Sequence, residues 1–180
     1  MNSMNANNSR LIALLSAIVL AAVLRLVPHP PNFTPIDAMA LFSGAYLGRR
    51  AVAFAAPLGA LLLSDAVLGF YFGMQFQYLS VALIVLLGWL ALSRVSVLRL
   101  GVAAVASSVL FFAVSNFGTW LTSGMYPHDI AGLGTCYVAA IPFFQNTLAG
   151  DLFYVTLLFG GLRVAELLVP TLAAGDAQAA

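Results

Sequence analysis

The chain contains no lysine, a single cysteine (Cys136) and charged side chains at only 7% of its 180 positions, against roughly 25% in an ordinary soluble domain. One cysteine excludes an internal disulfide and leaves the redox compartment undecided. A net charge of +1 gives no basis for a nucleic-acid partner. There is no GxSxG, no HExxH, no Walker loop and no serine beside a histidine, so the residues argue against an enzyme and offer no nucleotide or cofactor site. The pairs "PHP" and "PHD", "NFT" and "NFG" recur, but at no fixed offset, and no internal repeat is read from them.

What the chain has in abundance is apolar surface: hydrophobic residues make up 62% of it. A transmembrane helix needs about 20 mostly apolar residues. Reading on that basis gives segments near 11–27, 36–48, 51–72, 79–92, 100–122 and 147–169. The expected fold is an all-α integral membrane protein, a bundle of about six transmembrane helices in one domain over 11–172. A polar tail (1–10) precedes it and a frayed tail (173–180) follows. Residues 137–144 (YVAAIPFF) form an extra outer segment or extend the last helix. Arg10 before the first apolar run resembles a secretory signal, but no small-x-small cleavage site follows, so the run is read as a span.

The arginines set an orientation. Arg10 precedes helix 1, Arg49 and Arg50 separate helices 2 and 3, Arg94 and Arg99 separate 4 and 5, and Arg163 closes helix 6. The positive-inside rule then places both termini in the cytoplasm, with Arg25 the one exception. The connections 28–35, 73–78 and 123–146 face outward. They collect His29 and Asn32, then Gln75, Gln77 and Tyr78, then Tyr126, His128, Asp129, Gln145 and Asn146. The first, within "LVPHPPNFTPIDAMALF", holds Pro28, Pro30, Pro31 and Pro35. Proline fixes φ, lacks a backbone donor and pushes its predecessor toward extended conformations, so this stretch is a shaped connection rather than a helix.

A charge inside a span costs at least a few kcal/mol unless paired or hydrated. Arg25, Asp65 and Asp151 are therefore candidate site residues, with Asn116 and Trp120 at the same outer depth. Arg25 and Asp65 are expected to interact. Asp65 and Asp151 have the structural alternative of ion pairing or helix capping, and Arg25 that of snorkelling to the headgroups. His29 and His128 lack a fixed ligand spacing and read as rim residues, so no metal is expected. Cys136 reads as a packing residue. Tyr71, Phe72, Phe76, Tyr78, Trp120, Tyr126 and Tyr137 read mainly as an interface belt, some of them free to stack on a planar ligand. Ala13, Ala17 and Ala21 form a small-residue stripe, suited to packing in the bundle or to docking on another membrane protein.

The stretch "APLGALLLSDAVLGFY" (Ala56–Tyr71) resembles the third helix of the substrate-binding S components of energy-coupling factor (ECF) transporters. "PHPPNFTPIDAMALFSGAY" together with "YVAAIPFFQNTLAGDLFY" is similar to a family of uncharacterised bacterial membrane proteins related to S components. The resemblance implies a bacterial inner-membrane protein that captures a small solute, a vitamin or similar micronutrient, under the outer loops. It also implies a partner, an ECF-type coupling subunit with its ATPases, docked on Ala13, Ala17 and Ala21. Carried over, His29, Asn32, Tyr71, Gln75, Asn116, Trp120, His128 and Asn146 lie around the pocket, beside Arg25, Asp65 and Asp151. The alternatives are a membrane scaffold without solute binding and an enzyme at the membrane face. A pocket under the outer loops favours capture, a filled interior the scaffold, and a converging His, Asp and Cys cluster the enzyme.

Overall fold

The computed structural model describes residues 3–48 and 51–173, with the side chains described from Asn7 onward. Six helices follow one another: α1 (Ser3–Leu24), α2 (Ile36–Leu47), α3 (Ala51–Leu68), α4 (Met74–Ala91), α5 (Val97–Thr122) and α6 (Ile130–Leu168), with no strand among the described residues. Five of the helices, all but α2, are long and apolar enough to cross a bilayer. The chain is a multi-pass membrane protein. Leucine, isoleucine and valine side chains such as Ile12, Leu63, Val97 and Leu98 stand exposed along these helices, as a lipid-facing surface requires.

The exception, α2, sits at the centre. Its 12 residues extend about 18 Å at ~1.5 Å per residue, against a hydrocarbon core of ~30 Å. It touches all five other helices, and Ile36 to Gly44 and Leu47 are buried. Such a helix has no polar face to turn outward, which is why its sequence is apolar all round. Its one polar anchor in mid-helix, Ser43, donates to the Ala53 carbonyl at 2.7 Å.

The contact of α2 with α4 depends on two glycines. A Cβ on Gly44 would fall on the Val85 carbonyl, and one on Gly88 would come within 2.5 Å of the Leu41 carbonyl oxygen. Bare backbone at both positions lets the two helices meet main chain to main chain. Further from α2, Ala21 lies in the core at 2% exposure and Ala17 packs against it. Ala21 is therefore not open to a docking partner, whereas Ala13 and Ala17 are half-buried at the edge of the same face.

The observed boundaries differ from the expected ones where local chemistry extends a helix. Residues 3–10, expected as a tail, are the first turns of α1. The Arg10 guanidinium ties them down: it lies 3.6 Å from the Glu166 carboxylate, donates to the Leu172 carbonyl at 2.9 Å and sits over the Tyr46 ring. The α4 helix begins at Met74 rather than 79. The α5 helix begins at Val97, where the Ser96 hydroxyl accepts from Arg99 N. The last helix starts at Ile130 rather than 147, because the Asp129 carboxylate caps it by accepting from Gly132 N at 2.7 Å. It runs 39 residues through Pro142, so residues 137–144 extend it. Arg49, Arg50 and residues 174–180 lie outside the described residues.

Candidate functional site

The proline-rich connection between α1 and α2 is folded against α6. Phe33 N donates to the Pro30 carbonyl at 3.0 Å, closing a turn that places Asn32 in the left-handed region (φ 63°), one that asparagine tolerates better than most residues. The Phe33 ring packs on Phe153 and Tyr154 at 5.7 and 5.5 Å. Gly150 makes room for this, since a Cβ there would stand 3.2 Å from Phe33 Cα. Asn146 Nδ2 donates to the Pro31 carbonyl at 3.0 Å. The His29 ring nitrogens lie 3.0 and 3.3 Å from the Pro30 and Arg25 carbonyls. The elbow is thus a fixed wall, and it delivers the chain to the buried start of α2.

Beneath it lies a cavity of about 400 Å³, within the range of small-molecule sites. The elbow contributes Arg25, His29, Asn32 and Thr34, the last residue of α3 contributes Leu68, and the α3–α4 connection contributes Tyr71, Phe72 and Gly73. From α5 come Phe111, Phe112, Ser115, Asn116 and Thr119, and from α6 Ala140, Phe143, Thr147 and Asp151. Gln77 of α4 and the first residues of α2, Ile36 and Asp37, complete the lining. The cavity has aromatic sides, a polar rim and two carboxyl groups.

Four ionisable residues stand at or behind this lining, and they are not equivalent. Arg25 Nη2 lies 2.6 Å from Asp65 Oδ1, with the two side chains 10% and 1% exposed, and Arg25 Nη1 also donates to the Ser64 hydroxyl. Tyr78 donates to the other Asp65 oxygen at 2.8 Å. Asp65 Oδ1 accepts no further hydrogen bond, yet a cation at that distance satisfies it. Asp151 is held from α5, with Ser108 donating at 2.5 Å and Ser107 at 3.5 Å. Asp37 is 4% exposed, and its Oδ1 has no hydrogen-bond partner. Tyr71 donates to the Gln77 side-chain carbonyl. Burial pushes its phenol above the ordinary value, Asp65 adds to this and Arg25 opposes it, so it remains a protonated donor.

Of the residues singled out from the sequence, Arg25, His29, Asn32, Tyr71, Asn116 and Asp151 border the cavity. Asp65 does not; it stands behind Arg25 as its counter-ion. Asn146 does not either, because its amide is committed to the elbow backbone. Gln75 points away on the exposed side of α4. Trp120 and His128 pack on each other at 5.5 Å, with the indole donating to the Pro127 carbonyl, and they brace the α5–α6 connection outside the cavity. Neither histidine joins a metal-binding group, and no cluster of three potential ligands exists among the described residues. Cys136 is buried and donates to the Asn116 carbonyl at 3.4 Å. Sequence reasoning missed Asp37, Thr34, Ser115, Thr119 and Thr147. Asp37 carried a usable signal, a carboxylate two residues after a proline at the head of an apolar segment.

The family of unknown function DUF6580 matches residues 5–172. The chain belongs to that family. The match takes in the whole cavity, from Arg25 to Asp151, so the cavity lies within the family's shared region rather than in an appendage to it. No curated protein and no solved structure matches the chain.

Proposed function

We propose that this DUF6580 protein captures a small solute at the outer face of a bacterial inner membrane and passes it inward, in the manner of an ECF S component. The observation that carries the reading is the 400 Å³ cavity under the connections α1–α2 and α3–α4, walled by α5 and α6. A scaffold has no use for such a space, and polar groups facing a void inside a membrane bundle call for an occupant or water. A short helix starting at the cavity also fits solute sites in transporters, which form where helices are interrupted within the bilayer. The α2 N-terminus has no side-chain cap. The chain offers no nucleotide motif, so energy for transport comes from a partner, such as a coupling subunit with its ATPases, or from a gradient.

The outward direction rests on arginine placement. Arg94, Arg99, Arg163 and Arg10 lie at the end of the bundle opposite the cavity. The exceptional Arg25 is neutralised by Asp65, so it exerts little pull on topology. In a Cys136→Ala background, a cysteine in place of exposed Ser123 should react with an impermeant maleimide on intact cells, and one in place of exposed Ser93 should not. The reverse labelling would turn the cavity to the cytoplasm and end the capture reading. Uptake itself is read by incubating cells that overproduce the protein in defined rich medium. At least one medium component should be depleted faster than by cells without the protein, and an unchanged profile would contradict the proposal.

A further inference from the structure

We infer that the solute is a small organic cation, recognised by Asp37 and Asp151 at the base of the cavity; the inference rests on the reading of the cavity as a solute site. Charge balance leads there. Arg25 is the one arginine bordering the cavity, and its charge is already matched by Asp65 at 2.6 Å. The described arginines other than Arg25 lie at the opposite end of the bundle. Two carboxyl groups thus border the cavity without a protein cation of their own. The two are differently held: Asp151 accepts from two serines, whereas Asp37 keeps a buried oxygen with no partner.

An unpartnered buried carboxylate oxygen is costly. Asp37 nevertheless lies in the first turn of α2, where the positive end of the helix dipole favours a negative charge. Asp37 borders the cavity, so a cation entering there would meet a carboxyl that the protein leaves without a hydrogen-bond partner on one oxygen. A metal ion fits poorly, since no third acidic, histidine or cysteine ligand joins the pair among the described residues. A nitrogen cation fits better. Its N–H groups or its charge meet Asp37 and Asp151, while Phe111, Phe112 and Phe143 supply aromatic faces that attract cations.

The test uses the full-length protein in detergent and three probes of one shape: benzylamine, benzyl alcohol and benzoate. Benzylamine should raise the unfolding temperature in a saturable way at concentrations where the alcohol and the anion do nothing. This comparison needs no variant. Asp37→Asn, nearly the same shape, should weaken benzylamine binding by roughly tenfold to a hundredfold, the worth of a charge-assisted hydrogen bond, with elution on gel filtration unchanged. Asp151→Asn provides a second variant if Asp37→Asn fails to fold. Equal binding of the three probes, preference for benzoate, or an undiminished response in a folded variant would overturn the inference. If a neutral or anionic molecule co-purifies in the cavity, the cation inference falls while solute capture stands. If nothing enters the cavity, both fall.

Discussion

Arg25→Gln should destabilise the protein by about 3–5 kcal/mol, the cost of stranding one member of a buried ion pair, whereas Arg25→Gln combined with Asp65→Asn should cost clearly less than the sum of the two single changes. The asymmetry of the pair sharpens this. Asp65 is 1% exposed on its side chain and Arg25 10%. Without Arg25, the Asp65 carboxylate keeps only the Tyr78 hydroxyl and has no route to water. Without Asp65, the longer arginine can keep its bond to Ser64 or extend toward the headgroups. Asp65→Asn should therefore be the milder single change. Thermal unfolding in detergent measures all three variants. Simple additivity would mean that the two groups do not depend on each other. Stability loss with full solute capture in the folded fraction would mean that the pair only builds the wall.

The second large effect is expected where α2 meets α4. Gly88→Ala adds one methyl group, but that group lands 2.5 Å from the Leu41 carbonyl oxygen and close to the Leu41 backbone carbons. Overpacking a core typically costs about 1–3 kcal/mol when side chains can adjust. Here the obstacle is main chain in the most enclosed helix of the bundle, so relief requires moving α2 as a unit, and the cost should reach or exceed that upper figure. Gly44→Ala meets the Val85 carbonyl in the same way. Gly59→Ala in α3 is the control: nothing lies within 4 Å of its Cβ, and replacing a helical glycine by alanine should be neutral or stabilising by up to ~1 kcal/mol. Equal behaviour of Gly59→Ala and Gly88→Ala would show that the α2–α4 contact is looser than described.

The fold was largely readable because its main signals are local. Apolar length located six helices, of which α2 is too short to span as the others do, and clustered prolines identified the elbow as a break. Asp65 and Arg25 stood out as isolated charges in apolar surroundings, and they pair. What failed to show locally was set by tertiary contacts. Nothing in "MNSMNANNSR" reveals that Arg10 will find Glu166 and the Leu172 carbonyl more than 150 residues away, so the first turns of α1 read as a tail. The alanine stripe had two faces to choose between, and only the placement of α2 and α3 decided that Ala21 points inward. Asp37 looked like a residue near a helix start. Its importance appears only when Asp151, 114 positions later in the chain, is seen to border the same cavity. Serines and threonines such as Ser115 and Thr147 carry no distinguishing pattern, because hydroxyls in membrane helices commonly satisfy themselves on the preceding turn, as both of these do.

Native mass spectrometry of the gently purified protein reads out whether the cavity holds a small molecule. The wild-type chain should carry a discrete small-molecule adduct. Ser115→Trp, which fills the cavity from the α5 side while leaving the ion pair and the elbow contacts in place, should fly without it. A bare wild-type protein, or an adduct retained undiminished by the filled variant, would contradict the account.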